Sequence, residues 1–325
     1  MLSQRVHAAR PAFSPSIAHR AAADTPGFSR PTIVAALLAG LIATAWLLHR
    51  AELSVAVWSR SNLPFVLAAV CVAALRSHVL PRGWRHAAAL RDGAGYYAVF
   101  TLIALTGAVA SYPLAALTHG YADQTLQRID TALGFDWLAW YRTVADHRPL
   151  QILGIACYES IYLTPAILLG WFAHTGQRRE AHRFLAGFWL AAVLTLALFT
   201  LMPAIGPLSY LWRGAVPYMP VSETWQSNLI PALRAHTIHA VDLGALRGLV
   251  SAPSFHAAAG TLYLRTIWRT PPLRRWLTWL VAAMLLATPV EGTHYLIDMI
   301  IGAAVAMLAM EIVDLLLARR LAAVA

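Results

Sequence analysis

Gly292-Thr293-His294-Tyr295-Leu296-Ile297-Asp298 opens an apolar run that continues to residue 317, and Pro253-Ser254-Phe255-His256 opens a shorter one ending near residue 268. Each stretch places a histidine where a helix is predicted to begin. His294 and Asp298 are four residues apart, so on a helix they share a face one turn apart. A carboxylate there holds an imidazole in one tautomer and stabilises its positive form, which is the orienting half of a nucleophile arrangement. Ser254 follows a proline and precedes apolar residues, as an N-cap does. The free N–H groups and partial positive charge of a helix start suit a phosphate. Two histidines, a carboxylate and an anion-binding helix end are parts enough for phosphoryl transfer through a histidine.

The runs around these motifs set the class. Hydrophobic residues make up 59% of the 325 residues and charged ones 12%, about half the usual charged share. The excess lies in long apolar stretches, the pattern of an integral membrane protein. The net charge of +10 is carried by arginine, since the chain has no lysine. Those arginines flank apolar runs instead of clustering on polar segments, which argues against nucleic acid as a partner. Cys71 and Cys157 both fall inside apolar runs, which argues against a disulfide framework.

The expected fold is all-α, a polytopic membrane helix bundle of about eight spans with its catalytic core in the C-terminal spans. The spans are placed at about 32–49, 62–80, 94–117, 150–173, 184–203, 254–268, 275–291 and 294–317. Residues 1–31 read as a disordered basic cytoplasmic tail, 32–117 as N-terminal spans and 118–325 as the catalytic membrane domain. With the N-terminus inside, seventeen arginines fall on internal segments and eight on external ones. The positive-inside rule then makes both termini cytoplasmic. The same topology brings Ser254, His256 and His294 to the outer face, although no arginine count required them to coincide. Residues 118–149 read as an interfacial helix with its aromatic residues at headgroup depth, and 204–252 as a lid over the site.

Pro-Ser-x-His at 253–256 followed by His-x-x-x-Asp at 294–298 resembles the type 2 phosphatidic acid phosphatase superfamily of membrane enzymes. Ser-Phe-His and His-Tyr-Leu-Ile-Asp are most similar to the branch that includes fungal inositol phosphorylceramide synthase. Asp130-Thr131-Ala132-Leu133-Gly134-Phe135-Asp136-Trp137 is similar to a segment of bacterial members. The resemblance implies His294 as nucleophile, Asp298 as its partner and His256 as proton donor to the leaving oxygen. It implies a lipid phosphate as substrate, membrane lipids as surroundings, no cofactor and no metal; with the arginine topology, the expected place is a bacterial inner membrane with the site on the periplasmic side. The superfamily's first motif, a lysine six residues before Arg-Pro, has no counterpart in a chain without lysine. Ala287 and Thr288 stand where a Ser-Arg pair usually precedes the third-motif histidine. The residues that neutralise the phosphate are therefore open. Ser254 and Arg247 are the candidates, Arg247 because it is the external cation closest in sequence to Ser254, ahead of Arg213 and Arg234.

Other polar residues have blander readings. His236, His239 and Asp242 lie three apart, a weak metal spacing better read as a lid face. Glu159 reads as a structural pair within its span, and Glu291 as a group near the outer face that tunes the site or meets a headgroup. A serine-hydrolase reading would put Ser254 or Ser251 on a cap instead of an exposed elbow. The rivals to a lipid phosphatase or phosphotransferase are a transporter or lipid-binding protein that relays protons through the histidines, and a catalytically degenerate relative.

Overall fold

The computed structural model describes residues 28–77, 84 and 86–322. Residues 1–27 of the expected basic tail and 78–80 of the second expected span lie outside these. Serine and proline start the first helix: Ser29 accepts a hydrogen bond from Thr32 N–H at 3.3 Å and Pro31 fills the first turn of α1 (Arg30–Arg50). There follow α2 (Leu63–Arg76), α3 (Ala87–Leu117), α4 (Asp123–Ala132), α5 (Trp137–Ala145), α6 (Arg148–Glu159) and α7 (Leu163–Thr175). The chain continues with α8 (Arg178–Phe199), α9 (Pro207–Leu211), α10 (Glu223–Arg234), α11 (Phe255–Trp268), α12 (Pro271–Glu291) and α13 (Leu296–Ala322). Two-residue strands β1 (Ser54–Val55) and β2 (Ala240–Val241) pair in parallel, Ser54 opposite Ala240 and Val55 opposite Val241.

Among the described residues each stretch expected to span is mainly helical, but helix length and composition alone do not carry a count of eight. α1, α3, α8 and α13 are long and apolar enough to cross a membrane, and α6 with α7, bent by 40° at their junction, makes up to five. α2 and α11 have 14 residues each, about 21 Å against a hydrocarbon core of about 30 Å. The 21 residues of α12 include Arg274, Arg275 and Glu291.

The core lies where α3, α7, α8, α11, α12 and α13 meet. Phe100, Phe184, Phe188 and Tyr263 stack through it, and the Tyr263 hydroxyl donates to the Ile161 carbonyl at 3.0 Å. α11 and α13 approach so closely that a Cβ at Gly302 would collide with the Ser254 carbonyl oxygen. At the ends of these helices away from the histidines, buried Arg183 holds Asp314 through two bonds, of 2.5 and 2.7 Å. Arg265 joins Asp314 and Glu311 there at 3.2 and 2.6 Å.

Residues 118–149 correct one expectation. They form α4, α5 and the start of α6 instead of one interfacial helix, and Trp137 and Tyr141 are 1% and 0% exposed. Both rings have polar partners inside the protein: Trp137 Nε1 donates to the Pro289 carbonyl at 2.8 Å, and the Tyr141 hydroxyl to that of Tyr218 at 2.6 Å. With those tips satisfied, burial of the rings is favourable.

Candidate active site

Residues 292–295 connect α12 to α13, and their geometry is set by the backbone. Gly292, Thr293 and His294 donate in turn to the carbonyls of Thr288, Val290 and Pro289, at 2.9, 3.1 and 3.1 Å. Thr293 takes a positive φ of 48°. A Cβ at Gly292 would sit 2.5 Å from Cδ2 of His294, so the ring occupies the space a side chain would need. Asp298 in the first turn of α13 accepts from Tyr295 N–H at 2.8 Å, the carboxylate half of a capping box. Its other oxygen lies 3.0 Å from Nδ1 of His294. That contact is close, but the ring N–H does not point squarely at the oxygen. Both side chains are buried, at 3% and 1% exposure.

The second motif meets the first through the backbone. Ser254 N–H donates to the Asp298 carbonyl at 3.1 Å, which ties the start of α11 to the first turn of α13. The Ser254 hydroxyl accepts from Ala257 N–H at 3.2 Å, the N-cap bond expected from sequence. Fully buried and outside the cavity wall, Ser254 acts here as a cap, and its hydroxyl is turned to its own helix. His256, two residues on, stacks on Tyr158 with ring centroids 3.9 Å apart and planes at 12°. Its Nε2 is buried and has no hydrogen-bond partner among the described residues.

His256 and His294 open onto one cavity of about 200 Å³. Arg247 and Gly248 form part of its rim, Tyr158, Glu159 and Tyr162 another wall, and Val221 with Ser222 a third. Of the three external arginines weighed from sequence, Arg247 is the one on this wall. Arg234 instead donates to the Ala115 carbonyl and the Thr118 hydroxyl and lies over the Tyr121 ring, and Arg213 donates to the Trp212 carbonyl. Glu159, read from sequence as a structural pair, is exposed and lines the cavity. Glu291, read as meeting the site or a headgroup, accepts from the Tyr218 hydroxyl at 2.6 Å and from Val221 N–H at 3.4 Å. It is thus an anchor for residues 218–222. Burial, reinforced by that carboxylate, pushes the Tyr218 phenol well above its ordinary pKa.

His236, His239 and Asp242 do not gather as a metal site among the described residues. Asp242 accepts from the hydroxyls of Ser61 and Ser59 and from Gly244 N–H, and these bonds hold its carboxyl below the usual range. The segment expected as a lid is thereby clasped to the loop after α1, beside the β1–β2 pair.

Two aspartates that sequence reasoning passed over hold the His294 loop from below. Asp130 accepts from Leu296 and Ile297 N–H, each at 2.8 Å, and so caps the helix that carries Asp298. Asp123 accepts from Ile205 and Gly206 N–H and from the Tyr295 hydroxyl, at 3.0–3.1 Å. Burial raises both carboxyl pKa values, opposed by these donors. The sign matters: a raised folded pKa favours folding below the unfolded value and loses that advantage as pH rises through the folded one. Their part in the site is geometric, because the donors they hold fix the backbone that carries His294 and Asp298. Asp130 lies in the Asp130–Trp137 segment, whose likeness to a segment of bacterial superfamily members was the one available signal.

A histidine beside a carboxylate and a second histidine thus face one cavity among the apolar helices, an arrangement suited to nucleophilic and acid–base chemistry. Residues 124–312 match the PAP2 superfamily, over more than half of the chain, and the protein belongs to that superfamily. No curated protein and no solved structure matches it. The membership supports an enzyme of phosphoesterase type, and the long apolar helices are consistent with an integral membrane protein.

Proposed function

We propose that the protein is a membrane lipid phosphatase or phosphotransferase that works through a phosphohistidine, with His294, Asp298 and His256 as its catalytic residues. The observation that carries this reading is the convergence of His294, His256 and Arg247 on one cavity, with Asp298 behind His294. With Nδ1 turned to Asp298, Nε2 of His294 is the nitrogen that attacks phosphorus. The bond from phosphorus to the lipid alcohol oxygen breaks, protonated His256 gives its proton to that oxygen, and Asp298 stabilises the positive imidazole. Water or a second alcohol then attacks phosphorus, the phosphorus–nitrogen bond breaks to free His294, and the attacking oxygen leaves its proton on His256. Arg247 neutralises the equatorial oxygens. Ser254 contributes by fixing the phosphate-facing end of α11. By the arginine distribution, the site opens on the outer face of a bacterial inner membrane, with both termini cytoplasmic.

Transfer is the narrower form of this reading, as in an inositolphosphotransferase-like branch. It is supported by Val221 and Ser222, residues of the 204–252 segment that line the cavity, since a covered site would exclude water and favour transfer. The test is turnover of phosphatidic acid, polyprenyl phosphates and phosphatidylinositol by purified protein, reading free phosphate and new lipids. At least one is expected to turn over, with an acid-labile phosphoenzyme that His294→Ala abolishes. Turnover that survives His294→Ala would overturn the assignment. His256→Ala is expected to lose far more activity on a lipid phosphate than on an aryl phosphate, whose good leaving group needs little proton donation.

A further inference from the structure

A second cavity of about 260 Å³ lies between α1, α3 and α8, walled by Leu37, Gly40, Thr44, Thr106, Trp189 and Val193 among others. It shares Ile103, Gly107 and Leu196 with the catalytic cavity, so the two spaces abut across one short stretch of α3 and α8. Gly107 stands at that junction, and a Cβ built on it meets nothing within 4 Å. The space beside Gly107 therefore has room for a methyl group and would be closed only by a large side chain.

The threonine hydroxyls on this wall direct their protons to the protein itself. Those of Thr44, Thr106 and Thr200 each donate to a carbonyl of their own helix, at 2.8, 2.7 and 2.7 Å. Its edge is open, with Ala43, Val193 and Ala197 exposed. An engineered apolar cavity of about 150 Å³ already takes up benzene, so this one has room for a length of hydrocarbon. The polar end of the path is Arg247 with the two histidines, and the apolar end lies between helices long enough to cross a membrane. α1 and α3, which supply most of this wall, precede the residues that match the superfamily.

We propose that this groove binds one hydrocarbon chain of the substrate, threaded past Gly107 from the phosphate at the histidines, so that α1 and α3 set preference for long-chain lipids. This rests on the lipid-phosphate reading of the catalytic cavity. Leu41 and Ile42 of α1 are 40% and 68% exposed and line neither of these two cavities. They provide the control surface.

Two measurements test it in detergent micelles. The first is kcat/KM for dioleoyl against dihexanoyl phosphatidic acid. Gly107→Trp, which fills the junction, is expected to lower the long-to-short ratio by about tenfold or more, because a few methylenes lose their burial. Gly107→Ala is expected to lower it far less, and Leu41→Trp to leave it as in the wild type. The second is photolabelling by a phosphatidic acid whose acyl chain carries a diazirine, using His294→Ala so that binding is read without turnover. Label is expected on peptides with Leu37, Thr44 and Val193, competed by dioleoyl phosphatidic acid and reduced by Gly107→Trp. An unchanged ratio in Gly107→Trp, or competable label as strong at Leu41 and Ile42 as in the groove, overturns the proposal. If the wild type turns over no phosphate ester, the catalytic reading fails, and the photolabel alone decides the groove.

Discussion

The position of His294 depends on a few backbone-holding residues that take no part in the proposed chemistry. Asp130 uses both carboxylate oxygens on the N–H groups of Leu296 and Ile297. An asparagine there has one oxygen and turns an N–H₂ towards the second N–H. Asp130→Asn is therefore expected to cost about 1–3 kcal/mol for the buried donor left unpaired. It should also cut kcat on the order of 10²-fold if His294 and Asp298 move by about 1 Å. Thermal unfolding and kcat on the same preparation check both, and a stability loss with wild-type kcat would show that the cap does not position the site. Gly206 has φ of 91°, and a Cβ there would stand 2.9 Å from the Thr293 carbonyl oxygen. Gly206→Ala is expected to displace Thr293 and lower kcat more than it raises KM, as steady-state kinetics would show. Only half of this arrangement was legible from residue order. The His294–Asp298 pair and the Ser254 cap were legible because their partners lie within one helical turn. Asp123 reaches Tyr295 across 172 residues and Asp130 reaches Leu296 across 166, and no local periodicity encodes such a contact. Tyr158, stacked on His256 from another helix, was hidden for the same reason.

Helices were readable from apolar runs, because hydrophobic length alone marks a membrane segment. Their interruptions were not. The bend between α6 and α7 puts Tyr158 and Glu159 at a helix end on the cavity, where a single span at 150–173 would have carried them onward. The interfacial reading of 118–149 failed because aromatic residues with polar tips suit a headgroup and a buried hydrogen bond equally well. Between elements, residues 218–222 are strapped to the end of α12: Tyr218 to Glu291, Ser222 N–H to the Glu291 carbonyl, and the Ser222 and Thr293 hydroxyls 3.3 Å apart. Tyr218→Phe removes the bond to Glu291 and leaves its carboxylate short of a donor. Loosening this wall is expected to admit water. With myo-inositol or glycerol present, the share of phosphate released to water should rise at least severalfold relative to transfer product. An unchanged share in Tyr218→Phe would show that the strap does not govern access.

Across the whole molecule, charge is segregated along the helices. One end of α8, α11 and α13 holds Arg183, Arg265 and Arg269 around Asp314, with Arg178 beside Asp92 nearby. The other end holds the two histidines and the segments that cover them. A bidentate arginine–carboxylate pair with Arg183 buried keeps its charge matched inside the bundle. Arg274 and Arg275 near the start of α12 and Arg319 and Arg320 in the last turn of α13 add positive charge at that end, and the positive-inside rule would put such charge on the cytoplasmic side. The arginine count in the sequence pointed the same way without knowing which residues would meet. The two arguments share the arginines, so they need a test that does not. Single cysteines at Thr175, near the arginine-rich end, and at Ala215, in the segment over the site, are both at exposed positions. They would be placed in a background of Cys71→Ser and Cys157→Ser. In intact cells a membrane-impermeant maleimide is expected to label Ala215→Cys and to spare Thr175→Cys until the membrane is opened. The reverse pattern would put the histidines on the cytoplasmic side, where their substrate would have to come from the inner leaflet.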